Sequence, residues 1–558
     1  MVGRVLLAML RQLLLSAGLL LTAPLARAQG GTPPKLLVGI MVDQMRPDYL
    51  TRFADQFGER GFRRLLREGF QCRNTHYNYI PTVTGPGHAS VYTGTTPRYH
   101  GIVGNSWYDR GLRRDVYCTD DSTVRLVGPV KGMGVSARNQ LSTTLGDEMK
   151  MVSNGRSRVL ALSLKDRASA LPAGHLADGA YWFDINSGDF ISSTYYVPAL
   201  PAWVSEFNAQ KKADFYRRQT WTPLRAPTAY LNSVADSNAY EKIFKGKTAA
   251  TFPYDLARLA PLNPPAYEAV NVSPFGNTLL TDLALAALAG TDLGRDDVPD
   301  LLALSYSSPD AVGHTFGPLS KEENDLYLRL DLEIARLLDA LDRTVGKGSY
   351  TVFMTADHGA SEVPKYLAEH HAPAGAQSHQ TLNQAAAAYL NEQLGPEQWI
   401  EAERNNMYYL NRPLLARRKL DPDRVQRLLA GFLREQPGIA QANTTTQLLE
   451  AGAATGLDAK LQNGLYYKRF GDVRYELEPG WTWELGVGAT HGSGYAYDSH
   501  VPLLWFGAGI TPGISYVYHG ITDIAPTAAM LVESKLPSAC TGQPIVEVLS
   551  PAGKRGRR

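Results

Sequence analysis

The feature that most restricts the fold of this chain is a short apolar run that ends in a polar or charged residue and recurs along the sequence. Leu36-Leu-Val-Gly-Ile-Met-Val42 leads into Asp43, and Val159-Leu-Ala-Leu-Ser-Leu164 leads into Lys165. Leu301-Leu-Ala-Leu304 runs on to Asp310, and Tyr350-Thr-Val-Phe-Met-Thr355 runs on to Asp357 and His358. A fifth run, Val501-Pro-Leu-Leu-Trp-Phe506, closes in a Gly-rich turn. Near-continuous apolar runs of this length suit strands covered on both faces, as in a parallel sheet. Helical patterns lie between them, the clearest being the amphipathic stretch from Lys321 to Leu341. The expected class is α/β, with a mostly parallel central sheet flanked by helices. In such sheets ligands bind beyond the carboxyl ends of the strands, so the polar endings should converge on one site.

Two stretches break the alternation. Residues of about 176–270 are rich in Trp, Tyr, Pro and Asn. Residues of about 365–480 mix helix-like and hairpin-like pieces, including Gln462-Asn-Gly-Leu-Tyr-Tyr467 and Arg474-Tyr-Glu-Leu-Glu478. Both are expected to be insertions within a single catalytic domain spanning 29–558, capping the sheet and shaping its pocket.

The first 28 residues differ from the rest. Arg4 and Arg11 flank and interrupt an apolar segment reaching Leu21, and Ala26-Arg-Ala28 supplies small residues before a cut. This pattern reads as a secretory leader removed before Gln29, which places the mature chain in the periplasm or outside the cell. Without its three arginines the mature chain is nearly neutral, which makes no case for nucleic acid as a partner. The basic end, Lys554-Arg-Gly-Arg-Arg558, reads as a solvated tail. No second long apolar span follows, so no stable membrane insertion is expected, and the chain is expected to act as a monomer. Of the three cysteines, Cys72 and Cys118 flank the loop described next and form the candidate pair, leaving Cys540 single.

Asp43, Asp310, His314, Asp357, His358 and His491 stand at or near the polar endings. Asp310 and His314 are four apart, so both can reach one cation. Mixed imidazole and carboxylate ligation favours zinc over magnesium or calcium. Six such ligands divide into two three-ligand sites, and two ions could clamp the attacking and leaving oxygens of a phosphoryl transfer. The loop Tyr79-Ile-Pro-Thr-Val-Thr-Gly-Pro-Gly-His-Ala-Ser-Val-Tyr-Thr-Gly94 offers several hydroxyls, any of which could equally cap a helix. His88 is expected to brace this loop. His370, His371, His379, His500 and His519 are expected in surface or packing roles.

Taken in order, these motifs resemble the Thr-nucleophile, zinc-dependent periplasmic alkaline phosphatases of the alkaline phosphatase superfamily. The resemblance runs through Val42-Asp-Gln-Met-Arg-Pro-Asp48, Pro81-Thr-Val-Thr-Gly-Pro-Gly-His-Ala-Ser90 and His100-Gly-Ile-Val-Gly-Asn-Ser-Trp-Tyr108. It continues through Ser163-Leu-Lys-Asp-Arg-Ala168, Ser308-Pro-Asp-Ala-Val-Gly-His314, Thr355-Ala-Asp-His-Gly359 and His491-Gly-Ser-Gly-Tyr-Ala-Tyr497. It implies a three-layer sandwich, a phosphate-monoester substrate and two zinc ions. It implies that Thr84 is the nucleophile and Thr82 a loop residue. It implies that Asp43, Asp357 and His358 bind the zinc that activates Thr84, and that Asp310, His314 and His491 bind the other. Asn105 matches the amide donor of the family, and Lys165 and Arg167 match its cationic pair. That pair is expected to stabilise the transferring group while leaving the metal ligands untouched.

Four other functions compete, one of them a cofactor-independent phosphoglycerate mutase, which would normally use Ser and manganese and would not be exported. A phosphodiesterase or nucleotide pyrophosphatase of the same superfamily shares the ligands. Lys165 and Arg167 favour the monoester, because its dianionic phosphoryl group has three unsubstituted oxygens for cationic donors. A sulfatase would need a Cys-x-Pro-x-Arg or equivalent serine cassette, which is absent. A catalytically dead binding protein would need a missing ligand, and none is missing.

Overall fold

The computed structural model describes residues 32–549 apart from 453–454 and 484–485. The leader read over residues 1–28 and the basic tail lie outside the described residues.

The apolar runs form strands. The central sheet contains β1 (Leu36–Val42), β2 (Phe70–His76), β3 (Val159–Ser163), β4 (Gly179–Phe183), β5 (Phe190–Ser193), β6 (Asp300–Tyr306), β7 (Tyr350–Thr355) and β8 (His500–Gly507). Their order across the sheet is β2-β8-β7-β1-β6-β3-β4-β5, with short edge strands at Gly513–Ser515 beside β2 and Leu126–Val127 beside β5. β1 pairs in parallel with β6 and β7, and β6 with β3. The register puts Ser163, Ser305, Met41 and Thr355 in one row, so four strands end at the same level. Every residue of β1, β3, β6 and β7 is buried, as continuous apolar runs require.

β8 runs antiparallel to β7, with Thr355 opposite Leu503 and Thr351 opposite Gly507. Its beginning therefore stands where its neighbours end. This reversal brings the turn before β8, which carries His491, to the carboxyl edge of the parallel strands.

Four helices matter for the site: α1 (Thr84–Thr93), α2 (Asp166–Ala173), α3 (Ser308–Phe316) and α4 (Lys321–Leu341). α4 has the bounds read from its periodicity, and the Ser320 side chain caps it by accepting a bond from the Glu323 N–H.

The two insertions need redrawing. The stretch read as starting near 176 first supplies β4 and β5 to the central sheet, so its irregular part begins after Ser193. The second stretch holds a separate four-stranded sheet of Ile400–Arg404, Met407–Leu410, Ile439–Thr444 and Val473–Leu477. That sheet has its own apolar cluster, which includes Trp399, Tyr408, Leu429 and Tyr475. Gln462–Gly464, read as part of a hairpin, instead ends the helix Gly456–Gly464. Cys72 and Cys118 are not bridged; they lie in different apolar clusters, and Cys540 is free as well. Among the described residues no helix is long and apolar enough to cross a membrane.

Candidate active site

The Gly-Pro-Gly segment is the first turn of a helix rather than a loop. Val83 is extended, α1 begins at Thr84, and every residue of α1 is buried. A helix start leaves backbone N–H groups unpaired. One of them, on Gly85, donates to Asn105 Oδ1 at 2.7 Å. This bond fixes the amide plane of Asn105 and leaves its NH2 group for another acceptor. Arg167, in the first turn of α2, points Nη2 at Thr84 Oγ1 from 3.4 Å. Thr82, by contrast, donates its hydroxyl to the Ser493 carbonyl at 2.8 Å. His88 donates from Nδ1 to the Thr84 carbonyl and accepts at Nε2 from Ser305 Oγ, at 2.9 and 2.8 Å, so it braces the turn.

The strand ends bring the acids and histidines together. Asp43 follows β1, Asp357 and His358 follow β7, and Asp310 and His314 share one face of α3. Two groups have ligand atoms within 4.8 Å of one another: Asp43, Asp357 and His358, and Asp310, His358 and His491. The first is the expected triad. The second joins Asp310 and His491 to His358, whose ring stacks on His491 with centroids 3.4 Å apart. His314 remains at the site, with Nε2 3.1 Å from Asp310 Oδ1.

The histidines share one orientation. His314, His358 and His491 each donate from Nδ1 to a backbone carbonyl, those of Ala489, Gly359 and Thr82, at 2.8, 3.0 and 2.8 Å. Each Nε2 lone pair is then turned toward the carboxylates. This is how metal-ligating histidines are held. Asp43 Oδ1, Asp357 Oδ2 and His358 Nε2 are buried without a hydrogen-bond partner, and buried polar atoms are rarely left so. The donor set and its orphaned atoms therefore fit a metal, with chemistry suited to zinc.

Lys165 departs from its expected role. Its Nζ donates to Asp43 Oδ2 and to Asp310 Oδ2, both at 2.6 Å, so it touches two of the proposed ligands. Burial works against its charge, but Asp310 and Asp43 outweigh burial and raise its pKa. Burial first, then Asp310 and Asp357, pushes the Asp43 carboxyl up to about 7. Burial likewise raises Asp357 to about 6. For Asp310 burial is opposed by His314 and Lys165, which hold it well below the usual carboxylate range. Burial, and then the stacked His358, keeps His491 neutral. The site is thus a dense set of carboxylates held against repulsion.

Two contributors escaped the sequence reading. Gln44 donates its backbone N–H to Asp357 Oδ1 at 3.1 Å and its side-chain amide to Asp310 Oδ1 at 2.6 Å. Its φ of 65° is a left-handed conformation unusual for a non-glycine residue; its place directly after the strand-end Asp43 was the available signal. Tyr117 donates to Asp166 Oδ1 at 2.6 Å and accepts from Arg167 Nη1 at 2.9 Å. It lies in a separate hairpin 50 residues from Arg167, and nothing local to its sequence marks it.

Residues 37–493 match the family described as type I phosphodiesterase / nucleotide pyrophosphatase. The chain is 41% identical to alkaline phosphatase PafA of Elizabethkingia meningoseptica over 524 residues, covering 92% of this chain and 94% of that protein. It is 40% identical to alkaline phosphatase PhoV of Synechococcus elongatus, covering 92% and 93% of the two chains. The crystal structure of wild-type PafA superposes with a TM-score of 0.89 over 94% of this chain and 100% of the other, at 40% identity. Fold, ordered motifs and relatives agree that this chain belongs to the type I phosphodiesterase / nucleotide pyrophosphatase family of the alkaline phosphatase superfamily.

Proposed function

We propose that the protein is an exported alkaline phosphatase that hydrolyses phosphate monoesters through a covalent phosphothreonine at Thr84, with two zinc ions per chain. The observation that carries this reading is the position of Thr84. It opens a buried helix, with Arg167 Nη2 3.4 Å from its oxygen and Asn105 held on the adjacent N–H. The relatives PafA and PhoV, each matched over more than nine-tenths of this chain, are named alkaline phosphatases.

Asp43, Asp357 and His358 would hold one zinc; Asp310 and His491, with His314 beside them, would hold the other. Zinc bound there supplies a lowered pKa for a hydroxyl or water and positive charge for the leaving oxygen. The remaining work belongs to the chain. Thr84 Oγ1 bonds to phosphorus as the bond to the alcohol oxygen breaks, and that oxygen leaves as the alcohol. Water then cleaves the phosphothreonine, releasing inorganic phosphate and restoring the hydroxyl. Arg167 and the NH2 group of Asn105 donate to the phosphoryl oxygens, where charge-assisted bonds are strongest. Tyr117 holds the guanidinium in that direction.

The family description also covers diesterases. The Arg167 guanidinium facing Thr84 favours a doubly charged monoester, since a diester carries one charge fewer. The test is side-by-side kinetics on an aryl phosphate monoester and the matching diester, with zinc measured on the same sample. Faster monoester turnover, abolished by chelation and restored by zinc, supports the reading. Faster diester turnover, or full activity in metal-free protein, overturns it.

A further inference from the structure

A cavity of about 250 Å³ is lined by Val83, the residue before Thr84, and by His491, at the cluster of carboxylates and histidines. Its lining also carries four aromatic side chains, Trp481, Trp483, Tyr495 and Tyr497, each partly exposed. The polar handles on two of these rings are already used. Trp483 Nε1 donates to Asn406 Oδ1 at 3.0 Å, and Tyr495 Oη donates to the Leu477 carbonyl at 2.9 Å. His379, expected in a packing role, stacks on Trp483 with centroids 3.6 Å apart and planes at 17°. These contacts hold the Trp483 and Tyr495 rings in place, so an occupant would meet their rigid aromatic faces. Fixed aromatic rings offer large contact area and favour stacked or edge-on partners.

The charges of the wall narrow the occupant further. Among the described residues lining the cavity, Arg474 is the sole Arg or Lys. It is buried and committed to Glu476, with Nε donating to Oε1 at 2.7 Å. Glu478 and Asp498 add acidic character. A second phosphate or carboxylate on the occupant would find no free cation and would meet acids. A concave pocket that sets aromatic rings among polar side chains, beside candidate catalytic residues, is the form that small-ligand subsites take.

We propose that this cavity is the leaving-group subsite, and that it selects phosphate monoesters of uncharged primary alcohols bearing a planar aromatic or heteroaromatic ring. The inference rests on the monoesterase reading above and names its substrate class. With the phosphoryl group at Thr84, the ester substituent enters past Val83 and His491 and sets its ring against Trp483 and Tyr495.

The test compares 2-phenylethyl phosphate with ethyl phosphate. Both release primary alcohols of similar acidity, so the ratio of their kcat/KM values reads contact with the ring. The native enzyme should favour the phenylethyl ester by about tenfold or more, the scale of aromatic stacking. Trp483→Ala and Tyr495→Ala should each lower that preference about tenfold. Hydrolysis of ethyl phosphate by each variant serves as the measure of an intact fold. Calorimetry with 2-phenylethanol should show binding to the native protein and weaker binding to both variants. A preference that survives in both variants, or equal losses on the two esters, overturns the subsite. Should neither ester be hydrolysed, the monoesterase reading has failed; absence of 2-phenylethanol binding then overturns the subsite as well, and binding lost in the variants sustains the pocket as a ring-binding site.

Discussion

Gly87 of α1 lies directly against Asp357: a side-chain carbon at Gly87 would sit 2.6 Å from the Asp357 carbonyl oxygen and 2.7 Å from its Cβ. The helix of the proposed nucleophile and a proposed zinc ligand therefore pack without room for a methyl group. Gly87→Ala should displace Asp357 while leaving Thr84 in the sequence. Zinc content and monoester turnover should fall together, read by metal analysis and steady-state kinetics on one sample. Full zinc occupancy in the variant would show that the contact does not position the ligand.

Thr84→Ala should remove nearly all turnover, because no other hydroxyl of the loop faces Arg167. Thr82→Ala should keep most activity and cost stability on the order of 1 kcal/mol, the usual value of one hydrogen bond. Acid-quenched labelling with a phosphate monoester should place phosphate on Thr84 alone. Label elsewhere would reassign the nucleophile.

Arg167 and Lys165 should separate on substitution, since one faces Thr84 and the other faces carboxylates. Arg167→Ala should lower monoester kcat/KM by roughly 10²–10³, the cost of losing one preorganised donor, and lower diester hydrolysis far less. Its zinc content should stay unchanged. Lys165→Met removes an ammonium that competes for Asp43 and Asp310, so zinc affinity should rise. Equal losses on the two esters for Arg167→Ala would favour the diesterase reading.

Tyr117→Phe should lower monoester kcat about tenfold, the scale of one hydrogen bond to a charged group, by freeing Arg167. The effect should disappear in an Arg167→Ala background, because the tyrosine acts through the guanidinium. Additive losses in the double variant would argue for an independent role.

Asp498 gives a prediction for stability against pH. Burial pushes its carboxyl up to about 7, although Ser493 donates both its N–H and its hydroxyl to Oδ2. Oδ1 is buried without a partner. The folded state therefore keeps a proton that the unfolded chain releases near its ordinary value of 3.8. Stability contributed at low pH is lost as pH rises between these values, and the loss is complete above the folded value. Asp498→Asn carries no such proton and keeps an acceptor for Ser493. It should match the native protein near pH 4 and be more resistant to urea at pH 8. Equal urea midpoints at pH 8 would count against a raised Asp498.

Much of the site was legible because its residues end strands. A buried run that meets Asp43, Lys165 or Asp357 cannot continue as core, so the charge must emerge at the sheet edge. The α/β class and the candidate ligands followed from that local rule, and α4 from its amphipathic periodicity. Less local features were not legible. Gln44 gains its role from Asp310, 266 residues away, and from a left-handed backbone that a Gln does not announce. The start of the first insertion was misplaced because β4 and β5 carry aromatic residues that read equally well as a cap.

The sequence by itself determined which residues could do chemistry and at which strand ends they stand, because burial and periodicity are properties of short segments. Tertiary structure decided how those residues pair. The antiparallel entry of β8 brings His491 to the site and stacks it on His358, so the histidine shared between the two ligand groups is His358. Packing turned Lys165 onto Asp43 and Asp310 and set four aromatic rings of a distant segment in one cavity with Val83 and His491. Such relations depend on the register of strands hundreds of residues apart, and no local pattern encodes that register.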